Sequence, residues 1–99
     1  MSFKHISVIE LKERLADETL VLLDVRDEAS FQAGHVEGAQ RLNNDTVGEI
    51  VAQANKALPL VVVCYHGHSS QDAAAFLVTQ GFTDVYSLDG GYAAWAMSA

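Results

Sequence analysis

Residues 60–80 read LVVVCYHGHSSQDAAAFLVTQ, and their order predicts a buried strand, a tight loop and a helix. The branched apolar run Leu60–Val63 is typical of a strand that is covered on both faces. Ser70 is a good helix N-cap, and residues 71–80 are rich in helix-forming side chains. This stretch therefore places Cys64, the only cysteine of the chain, at the carboxyl end of a buried strand.

Short apolar runs alternate with helical segments along the rest of the chain. This alternation predicts an α/β fold in which helices cover a parallel sheet. Besides residues 60–63, strands are expected near residues 5–7, 20–25, 40–42 and 84–88. Besides residues 71–80, helices are expected over residues 8–16, 28–33, 46–55 and 92–97.

Several helix ends and faces are also predicted from local patterns. Ser7 and Glu10 form a capping box at the start of the first helix, where Val8, Leu11 and Leu15 share one face. For the third helix we expect a cap from Asn44 or Asp45, and for the last helix we expect Trp95 to close the core.

Length and composition indicate one globular domain over residues 1–99. Hydrophobic residues make up 49% of the 99 residues, and there is a single proline, which fits a compact soluble fold. The longest apolar run, residues 58–64, is too short to span a bilayer. The first residues show no secretion-signal pattern, and a lone cysteine fits a reducing compartment, so we expect a cytoplasmic protein.

The chain is acidic, with 6 basic and 13 acidic residues and a net charge of −7. Nucleic acids and anionic membranes attract cationic surfaces, so neither is expected as a partner. An anionic substrate would have to be attracted locally by the loop after Cys64 rather than by the field of the whole molecule.

Cys64 is the candidate nucleophile. A lone cysteine is often only a small buried apolar residue, but a thiol between a strand end and a helix N-terminus is in the setting that lowers thiol pKa values.

No arginine or lysine lies between Cys64 and Gly81, which argues against a phosphatase. Backbone amides and hydroxyls of the loop can instead hold a smaller anion, such as the outer sulfur of a persulfide. The candidate binding residues are Tyr65, His66, Gly67, His68, Ser69 and Ser70.

Other polar residues near the predicted site have structural interpretations. The spacing of Cys64, His66 and His68 superficially resembles a metal site but offers no fourth ligand, so the histidines are solvated or steer an anion. Asp24 and Arg26, at a second strand end, are expected to form a structural ion pair beside the site. We expect neither a resident metal nor a cofactor.

Several motifs together resemble the rhodanese family. They are LDVR at residues 23–26, Phe31, GHVEGA at residues 34–39, GF at residues 81–82, VYSLDGG at residues 85–91 and Trp95. The first three match the family's N-terminal signature, which is DxR followed by FxxGH[IV]xGA. The last three match its C-terminal signature, which is G[FY] followed in turn by V, LxGG and W. Cys64 falls between them, where the family keeps its sulfur-carrying cysteine.

The resemblance implies a three-layer α/β/α fold with a five-stranded parallel sheet and a six-residue loop from Cys64 to Ser69. It further implies a thiosulfate sulfurtransferase, in which Cys64 takes the outer sulfur and passes it to cyanide or a small thiol, with thioredoxin as a possible acceptor. The alternatives are a persulfide relay loaded by a protein donor and a non-catalytic interaction module. Because Ser69 stands where many rhodaneses have arginine, we expect modest affinity for thiosulfate.

Overall fold

A computed structural model describes residues 2–98, which contain five strands and five helices in alternation. The strands are β1 (Lys4–Ile6), β2 (Val21–Asp24), β3 (Gln40–Arg41), β4 (Leu60–Val63) and β5 (Val85–Leu88). The helices are α1 (Val8–Arg14), α2 (Glu28–Ala33), α3 (Val47–Gln53), α4 (Ser69–Thr79) and α5 (Gly91–Met97). Met1 and Ala99, the ends of the expected domain, lie outside the described residues.

The strands form one parallel sheet in the order β1-β5-β4-β2-β3, with β4 at its centre. In register, Asp24 of β2 lies beside Val63 of β4, and Val62 of β4 lies beside Ser87 of β5. Since all strands run the same way, their carboxyl ends share one edge of the sheet. Cys64 follows β4 directly at that edge, which is where open α/β sheets bind ligands.

Hydrophobic cores lie on both faces of the sheet, so the predicted three-layer α/β/α architecture is confirmed. Leu60 and Val62 of β4 face one core, which includes Ala74 and Leu77 of α4. Val61 and Val63 face the other core. Helices α1 and α5 cover this second core, where Leu11 is fully buried and Trp95 packs against the cluster from its edge.

The start of α1 agrees with the sequence prediction. The Ser7 hydroxyl accepts from the Glu10 amide and the Glu10 carboxylate accepts from the Ser7 amide, which is the expected capping box. Because Ser7 caps the helix, β1 ends one residue earlier than predicted, at Ile6. Leu15 follows the last residue of α1 and is 37% exposed, so it does not share the burial of Leu11.

The cap predicted for α3 is wrong. The helix begins at Val47, and neither Asn44 nor Asp45 caps it. Instead, the Asn43 side chain accepts hydrogen bonds from the amides of Asp45 and Thr46, at 2.8 and 3.0 Å. The turn before α3 is therefore stabilised by an Asx-type side chain that precedes the expected cap.

The N-cap predicted for α4 is also wrong. The loop backbone becomes helical at His68, so the helix begins at Ser69 and contains Ser70 in its first turn. Ser70 is fully buried, which turns its hydroxyl toward the sheet instead of toward the amides of its own helix. None of the helices within residues 2–98 has the length and apolarity needed to cross a membrane.

Candidate active site

The Cys64 sulfur lies at the point where β4 meets the first turn of α4. The Gly67 amide donates to Cys64 Sγ at 3.1 Å, and Ser70 Oγ lies 3.2 Å from the same atom. Cys64 is only 2% exposed. The loop thus curls around the sulfur, so that amides and a hydroxyl surround it on the protein side.

Gly67 allows the loop to curl. Its φ of +92° belongs to the left-handed region, and a Cβ there would lie 3.0 Å from the Gly90 nitrogen and 3.2 Å from the Leu88 oxygen. Gln71 in α4 holds the same turn, because its side-chain amide donates to the Gly67 carbonyl at 2.7 Å. The amide that reaches Cys64 is therefore fixed by packing against the turn after β5.

The start of α5 holds the other side of the loop. The Tyr92 amide donates to the Cys64 carbonyl at 2.7 Å, and the Ala93 amide donates to the Tyr65 carbonyl at 3.0 Å. These two bonds satisfy donors of the first helical turn that have no partner within the helix. As a result, the Cys64 backbone is fixed by a helix from the opposite face of the sheet.

Burial raises the pKa of the Cys64 thiol, because removal from water disfavours the anion. Hydrogen bonds act in the opposite direction: the Ser70 hydroxyl contributes most, followed by the amides of Ser70, Gly67 and His66. Together these bonds outweigh burial, and the pKa of Cys64 lies below its ordinary value. These hydrogen bonds therefore make the Cys64 thiolate easier to form than the thiolate of an ordinary cysteine.

Asp24 and Arg26 form a buried ion pair beside the loop. Arg26 Nη2 donates to Asp24 Oδ2 at 2.8 Å, and Arg26 Nε lies 3.1 Å from both carboxylate oxygens. Arg26 Nη2 also donates to the Gly34 carbonyl at 2.7 Å, which ties the end of α2 to the sheet edge. The guanidinium lies over the Tyr92 ring at 4.1 Å and farther from the Tyr65 ring, at 5.9 Å. Through its Nε and Nη2 atoms, Arg26 is thus bound to Asp24 and to the end of α2, and it braces the site from below the loop rim.

The outer rim of the loop is formed by the side chains of Tyr65, His66, His68 and Ser69, which are all exposed. The Tyr65 hydroxyl lies 3.0 Å from Ser30 Oγ. Within residues 2–98, no three His, Cys, Asp or Glu side chains lie close enough together to hold a metal ion. The structure thus divides the predicted binding residues into a buried set at the sulfur, Gly67 and Ser70, and an exposed rim.

Comparison with known proteins places this site in a family. The chain matches the Rhodanese-like domain family over residues 7–98. It belongs to that family. The resemblance seen in the signature motifs is thereby confirmed, and Cys64 of this rhodanese domain lies within the matched region.

Curated relatives and solved structures cover nearly the whole rhodanese domain. The thiosulfate sulfurtransferase GlpE of Shewanella oneidensis is 52% identical and aligns with 95% of this chain and 93% of its own. The protein of the same name from Pseudoalteromonas translucida is 48% identical, over 96% of this chain and 90% of its own. The solution structure of a rhodanese-like domain from Anabaena superimposes with a TM-score of 0.83 at 29% identity, covering 93% of this chain and 72% of that one.

One residue of this rhodanese site was not singled out from the sequence. Ser87 of β5 is 1% exposed, and its Oγ lies 2.7 Å from Ser70 Oγ. The available signal was a small polar residue within the buried strand sequence VYSL, next to the strand that carries Cys64. That signal does not identify Ser70 as the partner of Ser87, because the two residues are 17 positions apart in the sequence.

Proposed function

We propose that this rhodanese domain, residues 1–99, is a thiosulfate sulfurtransferase that carries sulfur as a persulfide on Cys64. The observation that carries the proposal is the environment of Cys64 Sγ, which receives the Gly67 amide at 3.1 Å and lies 3.2 Å from Ser70 Oγ. Donors aimed at a sulfur atom stabilise its anion and the anionic intermediate that follows. The GlpE relatives are named thiosulfate sulfurtransferases, which supports the same activity.

The first half-reaction is a displacement at sulfur. The Cys64 thiolate attacks the outer sulfur of thiosulfate, and a bond forms between Sγ and that sulfur. The sulfur–sulfur bond of thiosulfate breaks, and its electron pair leaves with sulfite. The enzyme then carries the persulfide anion Cys64–S–S⁻, and no proton has to be transferred.

The second half-reaction restores the thiolate. Cyanide attacks the outer sulfur, thiocyanate leaves, and the electron pair of the broken bond returns to Cys64 Sγ. A small thiolate, or thioredoxin as a protein acceptor, would take the sulfur in the same way. These acceptors, and a cytoplasmic setting in which thiols stay reduced, form part of the proposal.

The loop is the proposed cradle for the anions of both steps. Its amides face the sulfur, and the positive end of the α4 dipole lies beside it. Cys64 is the catalytic residue, and the proposed substrate-binding residues are Tyr65, His66, Gly67, His68, Ser69 and Ser70. Asp24 and Arg26 have a structural role beside the site, as a buried ion pair.

A steady-state assay tests the proposal. With thiosulfate and cyanide, the wild-type protein is expected to release sulfite and thiocyanate in equal amounts. Cys64→Ser is expected to release neither while it keeps the circular dichroism spectrum of the folded protein. If Cys64→Ser is as active as the wild type, or if the folded wild type is inactive with every small acceptor, the proposal fails. If Cys64 takes up sulfur only from a protein persulfide donor and not from thiosulfate, the protein is a persulfide relay instead.

A further inference from the structure

Two buried hydroxyls form a chain that ends at the Cys64 sulfur. Ser87 Oγ lies 2.7 Å from Ser70 Oγ, and Ser70 Oγ lies 3.2 Å from Cys64 Sγ. Ser70 is 0% exposed and Ser87 is 1% exposed. Bulk solvent therefore does not reach these hydroxyl protons, and each needs an acceptor inside the fold.

The proton of Ser87 determines the direction of the chain. Among residues 2–98, the Ser87 hydroxyl has a single hydrogen-bond partner, Ser70 Oγ. Its proton must be donated there, since a buried O–H group without an acceptor is unfavourable. The Ser70 proton then points away from Ser87. Cys64 Sγ, which as a thiol donates to Ser70 Oγ at 3.2 Å, becomes the acceptor within reach once it is a thiolate. Both protons are thus directed toward the sulfur.

We propose that Ser87 is a positioning residue that acts through Ser70 to stabilise Cys64 as the thiolate. A sulfur that accepts from Ser70 is favoured as an anion, because hydrogen bonds to the charged form are the stronger ones. Hydrogen bonds in a chain also strengthen one another, so the bond from Ser87 makes Ser70 a better donor.

The position of Ser87 in the fold supports this role. It lies on β5 beside Val62, one strand away from Cys64 and beneath the first turn of α4. At 1% exposure it cannot contact a substrate in solution. Its influence on the reaction must therefore pass through the buried Ser70 hydroxyl. The inference rests on the proposed function only in taking Cys64 as the nucleophile.

A double-mutant cycle on the thiol tests the inference. The rate of alkylation by iodoacetamide is measured against pH for the wild type, Ser70→Ala, Ser87→Ala and the double variant. Each single substitution is expected to raise the apparent pKa of Cys64, by about 0.5 to 1 for Ser87→Ala. In the Ser70→Ala background, Ser87→Ala is expected to add nothing.

The matched control is Ser98→Ala, which also removes one hydroxyl. The Ser98 hydroxyl donates to the Trp95 carbonyl, away from the site. Its pH profile is expected to coincide with that of the wild type. An unchanged profile for Ser87→Ala, or a full additional effect of Ser87→Ala in the Ser70→Ala background, would overturn the inference. The assay needs no thiosulfate, so a wild type that shows this pattern without loading sulfur would contradict only the proposed function.

A measurement on the wild type covers the case in which Ser87→Ala does not fold. The carbon NMR shift of Ser87 Cβ is followed through the titration of Cys64, with Ser98 Cβ as the internal reference. The Ser87 signal is expected to move with the pKa of Cys64, whereas the Ser98 signal stays constant. A Ser87 signal that does not move while Cys64 titrates would overturn the inference.

Discussion

Gly91 approaches Cys64 so closely that a Cβ at position 91 would lie 2.5 Å from the Cys64 carbonyl oxygen and 2.6 Å from the Tyr65 carbonyl carbon and oxygen. Gly91 also has a φ of +61°, which disfavours residues with a side chain. The next two amides of α5 donate to those carbonyls. The loop that carries the sulfur therefore depends on a helix whose first residue is glycine.

Gly91→Ala should therefore damage both stability and the site. The backbone conformation and the overlap each oppose a Cβ, so the free energy of unfolding should fall by about 2–4 kcal/mol. Urea denaturation measures this loss. Gly48→Ala is the matched control, because a Cβ at Gly48 in α3 meets nothing within 4 Å and should raise stability by up to about 1 kcal/mol. Equal effects of the two substitutions would contradict the account of the loop.

Asp24→Asn should destabilise the fold far more than the loss of a surface ion pair. It leaves the buried guanidinium of Arg26 without its counter-charge, a change that typically costs about 3–5 kcal/mol. The control is Lys4→Ala, which removes the exposed pair between Lys4 and Asp84 and should cost at most about 1 kcal/mol. Urea denaturation curves that place Asp24→Asn and Lys4→Ala within error of each other would refute the structural role of the buried pair.

The alkylation rate of Cys64 should depend on pH in a direction set by its lowered pKa. Only the thiolate reacts, so the rate rises with pH and levels off above the pKa. Because hydrogen bonds from Ser70, Gly67 and His66 outweigh burial and lower the pKa in the folded protein, the midpoint should lie at a lower pH than that of an ordinary cysteine thiol. The same protein unfolded in urea is the control, and its midpoint should lie near the ordinary value. A folded midpoint equal to or above the unfolded one would contradict the hydrogen-bond assignment.

Ser69→Arg should improve the use of thiosulfate. Ser69 is exposed on the loop rim, and a cation there would attract the dianion to a loop that has no lysine or arginine. An exposed charge pair is worth about 0.2–1 kcal/mol, so KM for thiosulfate should fall by about 1.5- to 5-fold. Ser69→Gln supplies a long neutral control and should leave KM unchanged. The gain should shrink at high salt, and a gain insensitive to salt would argue against an electrostatic origin.

Features that depend on local pattern were predictable from the sequence. The β4 strand follows from four consecutive branched residues, and the α1 cap follows from the spacing of Ser7 and Glu10. The position of Cys64 at the functional edge follows from the strand that precedes it. The five strands follow from the alternation of apolar runs and helical segments, and the signature motifs then identified the family.

Features that depend on long-range packing were not predictable. Ser70 has the chemistry of an N-cap, but the curl at Gly67 brings it into the helix and turns its hydroxyl toward the sheet. Its partner Ser87 comes from another strand, and only the register between β4 and β5 places it there. The exposure of Leu15 depends on where α1 ends, since helix periodicity does not determine helix length.

The mass of the intact protein after incubation with thiosulfate tests the central claim most directly. The reduced wild type should gain one sulfur atom, about 32 Da, and cyanide should remove it. Cys64→Ser should gain nothing under the same conditions. A folded wild type whose mass never changes, or a Cys64→Ser variant that gains the same mass, would contradict the proposal that Cys64 carries the transferred sulfur.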